Sequence, residues 1–195
     1  NRRVRQWRSS VVPLIEQLPL FRLAQQPELG NGSFNTPVLV EAADTGPFFH
    51  NNSIETIEGA VDFYNSRAFN EPPGFGALVG GVRLDATEVV AVAALLRVIN
   101  VLENERSARD LLNRVKIATS NAQGKELADL AVSEIDDAME VLVGGGLHRK
   151  AQKEFNKARG NAIKAGSASN ASGRITEANK ALANLDTAKA DIIDP

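Results

Sequence analysis

Few side chains in this sequence could take part in chemistry. The chain has no cysteine, two histidines (His50 and His148), one tyrosine (Tyr64) and one methionine (Met139). The lack of cysteine excludes disulfides, thiolate nucleophiles and cysteine-ligated zinc or iron–sulfur sites. No nucleophile, base and orienting group form a pattern typical of a hydrolase or a transferase. The groups left for chemistry are an imidazole, a phenol and the aromatic side chains near them.

Three short motifs bring these groups together in the first third of the chain. They are Phe34-Asn35-Thr36-Pro37, then Gly46-Pro47-Phe48-Phe49-His50-Asn51-Asn52-Ser53, then the run from Thr56 to Phe63-Tyr64-Asn65. Because proline fixes φ and lacks an N–H, the first two motifs predict an ordered loop. The third predicts a short helix, capped by Ser53 or Thr56, with Ile57, Ala60, Val61 and Tyr64 on one face.

The order and spacing of these motifs resemble the C-terminal haem domain of the bacterial dihaem cytochrome c peroxidase superfamily. In that domain Phe-x-Thr-Pro precedes Pro-aromatic-x-His-x-Gly/Asn-Ser, a helix ending in Phe-Tyr-Asn, and a final Leu-rich helix. The resemblance covers roughly residues 30–105, with Leu84 to Leu102 as the final helix. It implies a mostly α, cytochrome c-like haem-domain portion with long ordered loops, and haem c as the cofactor.

The resemblance implies haem-facing roles for Tyr64, His50 and their neighbours. The position of Tyr64 supplies a methionine to the haem iron in electron-transfer members, and a tyrosine in members like the methylamine dehydrogenase maturation enzyme. A phenolate ligand favours ferric and higher iron states. His50 is expected to hydrogen-bond a haem propionate or a nearby carboxylate, and Pro47, Phe48 and Phe49 are expected to line the ring. The alternatives are a half-buried core role for Tyr64 and a loop-bracing role for His50.

The sequence departs from the family pattern in two places. After Thr36-Pro37 the family usually continues with Leu-Arg-Asn, whereas Val38-Leu39-Val40 has no arginine to neutralise propionates. The Cys-x-x-Cys-His attachment motif is also absent, and only residues 1–33 precede Phe34. The covalent haem is therefore expected on a partner chain or on a separate N-terminal fragment.

Three regions are predicted along the chain. Residues 1–29 form an Arg-rich, Pro-interrupted N-terminal arm, and 30–106 form the haem-domain portion, whose clearest helix starts at Asp85 or Thr87 and runs through Leu102. Residues 107–195 form a helical-hairpin extension, with a helix ending near Asn121 and a stripe from Leu127 through Leu130 to Leu142, closed by Gly144-Gly145-Gly146. Its Ala-rich stripes favour packing against the first domain or a partner, and His148 is expected to start a helix. No repeat is clear enough to predict a solenoid.

Composition and resemblance together lead to a functional expectation. A net charge of -2 and a pI near 5.8 give no reason to expect nucleic acid as a partner. No apolar run is long enough to span a bilayer. The resemblance implies a periplasmic c-type haem oxidoreductase that reduces hydrogen peroxide or performs a related high-valent oxidation, with electrons from a small donor protein. The alternative is a haem-free interaction module that has kept the fold.

Overall fold

The computed structural model describes residues 38–70 and 81–194, and this part of the chain is mostly helical, as predicted. Its helices are α1 (Ile57–Phe63), α2 (Arg67–Asn70), α3 (Ala86–Ile117), α4 (Asn121–Gly144), α5 (Arg149–Gly166) and α6 (Ala171–Ile193). The described residues fall into two compact units, one with Val38, 62–70 and 81–84, the other with 39–61 and 85–194. The predicted arm 1–29 and the motif from Phe34 to Pro37 lie outside the described residues.

Side-chain caps fix where the helices begin. Asp85 Oδ1 accepts hydrogen bonds from the backbone N–H groups of Thr87 (2.8 Å) and Glu88 (2.9 Å), and Glu88 Oε2 accepts one from Asp85 N–H (2.8 Å). This reciprocal capping box makes Asp85, rather than Thr87, the start of α3. The Gly59 N–H donates to Thr56 Oγ1 (3.1 Å), so Thr56, rather than Ser53, caps α1.

Helix α3 is one continuous helix from Ala86 to Ile117, so the predicted boundary between residues 106 and 107 lies in its interior. The predicted separate helix ending near Asn121 is therefore wrong, and α4 begins at that residue. The sequence suggested a break because polar residues occupy core positions here. Asn100, Asn104 and Glu105 are 0%, 5% and 0% exposed and interrupt the apolar stripe without interrupting the helix.

Helices α3 to α6 form an antiparallel four-helix bundle within the second unit. Connections of three or four residues (118–120, 145–148 and 167–170) join them, which favours an up-down-up-down order. Helix α3 packs against α4 and α6, and α5 also packs against α4 and α6. The predicted hairpin extension is thus corrected to a bundle that needs α3 as its fourth member. None of the described helices combines the length and apolar character needed to cross a membrane.

The bundle core is rich in alanine and follows a heptad pattern. Buried residues recur at alternating spacings of four and three, as in coiled coils: Ala128, Ala131, Ile135, Ala138 and Leu142 in α4; Ala151, Phe155, Ala158, Ala162 and Ala165 in α5; Ala178, Ala181, Leu185, Ala188 and Ile192 in α6. Small side chains let neighbouring helices approach closely. Leu130, which was predicted on the buried stripe, lies beside this seam and is 51% exposed.

Candidate functional site

The loop that carries the predicted Pro47-Phe48-Phe49-His50 motif is held by its own backbone. The N–H of Phe48 donates to the carbonyl of Ile54 (2.6 Å), and the N–H of Asn52 donates to the carbonyl of Phe49 (3.1 Å). Phe49 and Asn52 adopt left-handed φ values of 68° and 53°, which tighten the turn. Phe48 and Phe49 are half-buried, whereas Pro47 and His50 are exposed. The loop therefore presents an imidazole next to two partly covered aromatic rings.

Tyr64 lies in the other unit, in the turn that follows α1. Its ring packs edge-on against Phe69, with centroids 4.8 Å apart, and against Phe63 at 6.0 Å. Ile57 and Val61 are buried, as predicted, but Tyr64 is 41% exposed and lies beyond the last helical residue, Phe63. The prediction that Tyr64 continues the apolar face of the helix is therefore wrong. Its position is that of an accessible phenol on an aromatic cluster.

Two asparagines that the sequence analysis did not single out position this cluster. Asn65 Oδ1 accepts from the N–H of Leu84 (2.6 Å), and its Nδ2 donates to the Leu84 carbonyl (3.0 Å). Asn70 binds Val82 in the same two ways, at 2.6 Å and 3.1 Å, and also donates to the Tyr64 carbonyl (2.8 Å). Each carboxamide thus bonds both the N–H and the carbonyl of one residue, as the backbone of a paired β-strand would. Asn65 belongs to the Phe-Tyr-Asn motif, and this motif was the one feature of the sequence that could have pointed to its role.

An acidic groove of about 860 Å³ lies in the second unit. It is lined by Ala43, Asp44, Gly46, Pro47, Asn52, Glu55, Asp137 and Glu140. Burial raises the pKa of the adjacent Glu134, and the negative charges of Asp137, Glu41 and Glu103 raise it further. Among the predicted site residues, only Pro47 lines this groove. Because carboxylates repel carboxylates, it is a poor place for a haem propionate.

The described residues contain no cluster of histidine, aspartate and glutamate that could hold a metal ion. Behind the groove, Asn100 Nδ2 donates to Asp44 Oδ2 (2.7 Å), which ties the loop to α3. A bidentate ion pair between Arg97 and Glu58, at 2.5 and 3.1 Å, ties the start of α1 to α3. The hydrogen bond from Arg97 lowers the pKa of Glu58 although partial burial opposes this effect. These contacts serve to position the loop.

The predicted site residues therefore belong to different units of the structure. His50, Phe48, Phe49 and Pro47 belong to the loop of one unit, and Tyr64 belongs to the aromatic cluster of the other. His148, which was expected to start a helix, does so as the residue before α5. Comparisons of the chain with protein-family models, with curated proteins and with solved structures found no match.

Proposed function

We propose that this chain contributes haem-contacting surfaces to a periplasmic c-type haem oxidoreductase whose covalent haem is carried by another chain or fragment. The observation that carries the proposal is Tyr64, which is 41% exposed and packs edge-on against Phe63 and Phe69. The proposal also rests on the resemblance of the motifs around Tyr64 and His50 to the dihaem cytochrome c peroxidase superfamily. The reaction would be hydrogen peroxide reduction or a related high-valent oxidation.

The residues of the Tyr64 cluster fit a haem in donor chemistry. A phenolic oxygen is a known axial donor to haem iron, and aromatic side chains suit the flat apolar ring. When bound, the haem would supply the redox chemistry, and the protein would supply binding, orientation and electrostatics. Tyr64 would bind the haem iron through its phenolic oxygen. Asn70, which holds the Tyr64 backbone at 2.8 Å, would be a positioning residue.

We also propose that the Phe48–His50 loop faces a haem. The exposed imidazole of His50 would donate a hydrogen bond to a propionate, and Phe48 and Phe49 would contact the ring. Pro47 borders the acidic groove, so its role would be to shape the loop. A small donor protein would deliver the electrons.

The visible absorption spectrum of the natively purified protein tests this proposal, together with a haem-stained denaturing gel and the intact mass of each band. A Soret band, with covalent haem on a second copurifying chain, is the expected result. A colourless single chain would refute it.

Tyr64→Phe tests the proposed iron contact, because it removes only the hydroxyl. In the haem-bearing complex it should abolish the phenolate-to-iron charge-transfer band and raise the reduction potential. Phe69→Tyr is a matched control, since it changes a neighbouring ring of the same cluster without removing the Tyr64 hydroxyl. An unchanged spectrum in Tyr64→Phe would rule out ligation.

The second candidate function is a haem-free interaction module, and the alanine-rich bundle favours it. Helices α3 to α6 pack on one another around residues that are 0% exposed, such as Leu112, Phe155 and Leu185. Such a module would need no cofactor to fold. A colourless chain that unfolds cooperatively and pulls down a protein partner would support this function over the first.

A further inference from the structure

The four-helix bundle is built from two hairpins with the same pattern, fifty residues apart. The first hairpin is α3–α4 and the second is α5–α6. Every buried position of the second hairpin has a buried counterpart fifty residues earlier: 101/151, 105/155, 108/158, 112/162 and 115/165, then 124/174, 128/178, 131/181, 135/185, 138/188 and 142/192. The N-caps Ser120 and Asn170 obey the same offset. The bundle is therefore an internal repeat, which the sequence analysis did not detect.

Ion pairs between the hairpins are reciprocal. Arg109 of the first hairpin pairs with Asp186 of the second at 2.7 Å, and Arg159 of the second pairs with Asp136 of the first at 2.6 Å. Each arginine and each aspartate again lies fifty residues from its counterpart. Such pairing, in which residue i contacts j and the equivalent j contacts i, is the mark of a two-fold interface between identical subunits. Here the two-fold relation lies inside one chain.

The core contacts make the two hairpins complementary rather than interchangeable. Gly124 of the first hairpin lies against Arg174 of the second, and a Cβ at Gly124 would lie 2.5 Å from Arg174 Cδ. These two positions are equivalent, so a pair of second hairpins would bring two Arg174 side chains together. Leu112 and Ala162 are also equivalent core positions, and they differ in size. The best partner for a first hairpin is a second hairpin, whichever chain supplies it.

The connection between the hairpins, residues 145–148, is short and strained. Gly146 closes α4 in a Schellman motif, with Leu147 N–H bonded to the Leu142 carbonyl (2.9 Å) and Gly146 N–H to the Val143 carbonyl (3.1 Å). Gly146 has φ +64°, and His148 has φ 45° without a side-chain cap. A left-handed non-glycine residue is strained. Short strained hinges favour the exchange of elements between chains.

We propose that a second copy of this chain is a binding partner, through reciprocal exchange of hairpins. In the exchanged dimer the first hairpin of each copy packs on the second hairpin of the other copy. Both ion pairs and the Gly124–Arg174 contact are then kept. Only the hinge 145–148 changes its conformation. It no longer reverses the direction of the chain, so Gly146 and His148 no longer need a left-handed backbone.

Hinge variants of the full chain test this proposal by size-exclusion chromatography with light scattering, after unfolding and refolding at matched concentrations. Gly146→Ala should raise the association constant by about thirtyfold, because both hinges of a dimer are relieved of the left-handed penalty. His148→Gly should lower it. Gly144→Ala is the matched control, since Gly144 lies within α4, has open space around its Cβ position and has no positive φ. Equal association of Gly146→Ala and Gly144→Ala would overturn the proposal.

A complementation experiment tests which surface joins the copies. One chain carries Asp136→Arg and the other carries Arg159→Asp, and both positions are partly exposed in their ion pair. Each chain alone places like charges together, whereas the exchanged heterodimer restores opposite charges at both interfaces. Native mass spectrometry of the refolded mixture should show heterodimer in several-fold excess over either homodimer. A statistical mixture of dimers would show that they use another surface and would refute exchange.

Discussion

Gly124 lacks a side chain because Arg174 occupies the space next to it. An ideal Cβ at Gly124 would lie 2.5 Å from Arg174 Cδ, 3.1 Å from Nε and 3.3 Å from Nη1. The arginine is held in place by bonds to the carbonyls of Val115 (3.1 Å) and Ala118 (2.7 Å) and to Asn121 Oδ1 (2.9 Å). It therefore caps the C-terminal end of α3 and is only 4% exposed. Gly124→Ala should displace it.

The expected size of the effect comes from two opposing terms. Alanine in a helix is favoured over glycine by about 1 kcal/mol. A hydrogen bond from a charged donor contributes roughly 1.5–3 kcal/mol, so the loss of two of the three costs at least about 3 kcal/mol. Gly124→Ala should therefore lower the free energy of unfolding by about 2 kcal/mol. Urea denaturation followed by far-ultraviolet circular dichroism measures this change.

Two further variants separate the clash from other effects. Gly160→Ala is the matched control, because nothing lies within 4 Å of its Cβ position, and it should stabilise by about 0.5–1 kcal/mol. In an Arg174→Ala background the space is free, so Gly124→Ala should become stabilising. If Gly124→Ala has the same effect in both backgrounds, the side-chain clash is not its cause and the reasoning fails.

Two other predictions concern charged groups. Arg109→Ala removes the 2.5 Å partner of the Glu105 carboxylate, which is 0% exposed, and should lower the free energy of unfolding by roughly 3 kcal/mol. Arg106→Ala is the control, because this arginine is exposed and its loss should change the free energy of unfolding little. Equal losses of stability in urea denaturation would contradict this prediction. The lowered pKa of Glu58 makes its ion pair with Arg97 stabilising above the ordinary pKa of 4.5, and this contribution is lost as pH falls through the lower folded value. Arg97→Gln should raise the pKa of Glu58 toward 4.5, measured by NMR titration, and an unchanged titration would refute the assignment.

The helical class and several helix ends could be predicted from local chemistry. The capping residue Asp85 and the glycines after α4 are set by short-range contacts. The continuity of α3 could not be predicted in the same way. Its polar core residue Glu105 depends on Arg109 and on Lys189, whose Nζ lies 3.8 Å away on α6.

The motifs named candidate residues, but they could not predict how these residues are arranged. The turn that exposes Tyr64 is set by Asn65 and Asn70, which bind Leu84 and Val82 well beyond the window that helical periodicity covers. The internal repeat was hidden for a related reason. The two hairpins share their pattern of burial more fully than their residues: the core alanines Ala108 and Ala158 are identical, whereas Glu105 and Phe155 differ completely in chemistry.

The alanine-rich core has a calorimetric consequence. A buried alanine removes less apolar surface from water than a leucine, while the helical backbone around it buries as many polar peptide groups. Exposure of apolar surface raises the heat capacity change of unfolding, and exposure of polar surface lowers it. The heat capacity change of this bundle should therefore lie below the usual value of about 12 cal/mol/K per residue. A small heat capacity change flattens the dependence of stability on temperature. The bundle should thus hold a nearly constant stability over a wider thermal range than a leucine-packed bundle of equal length.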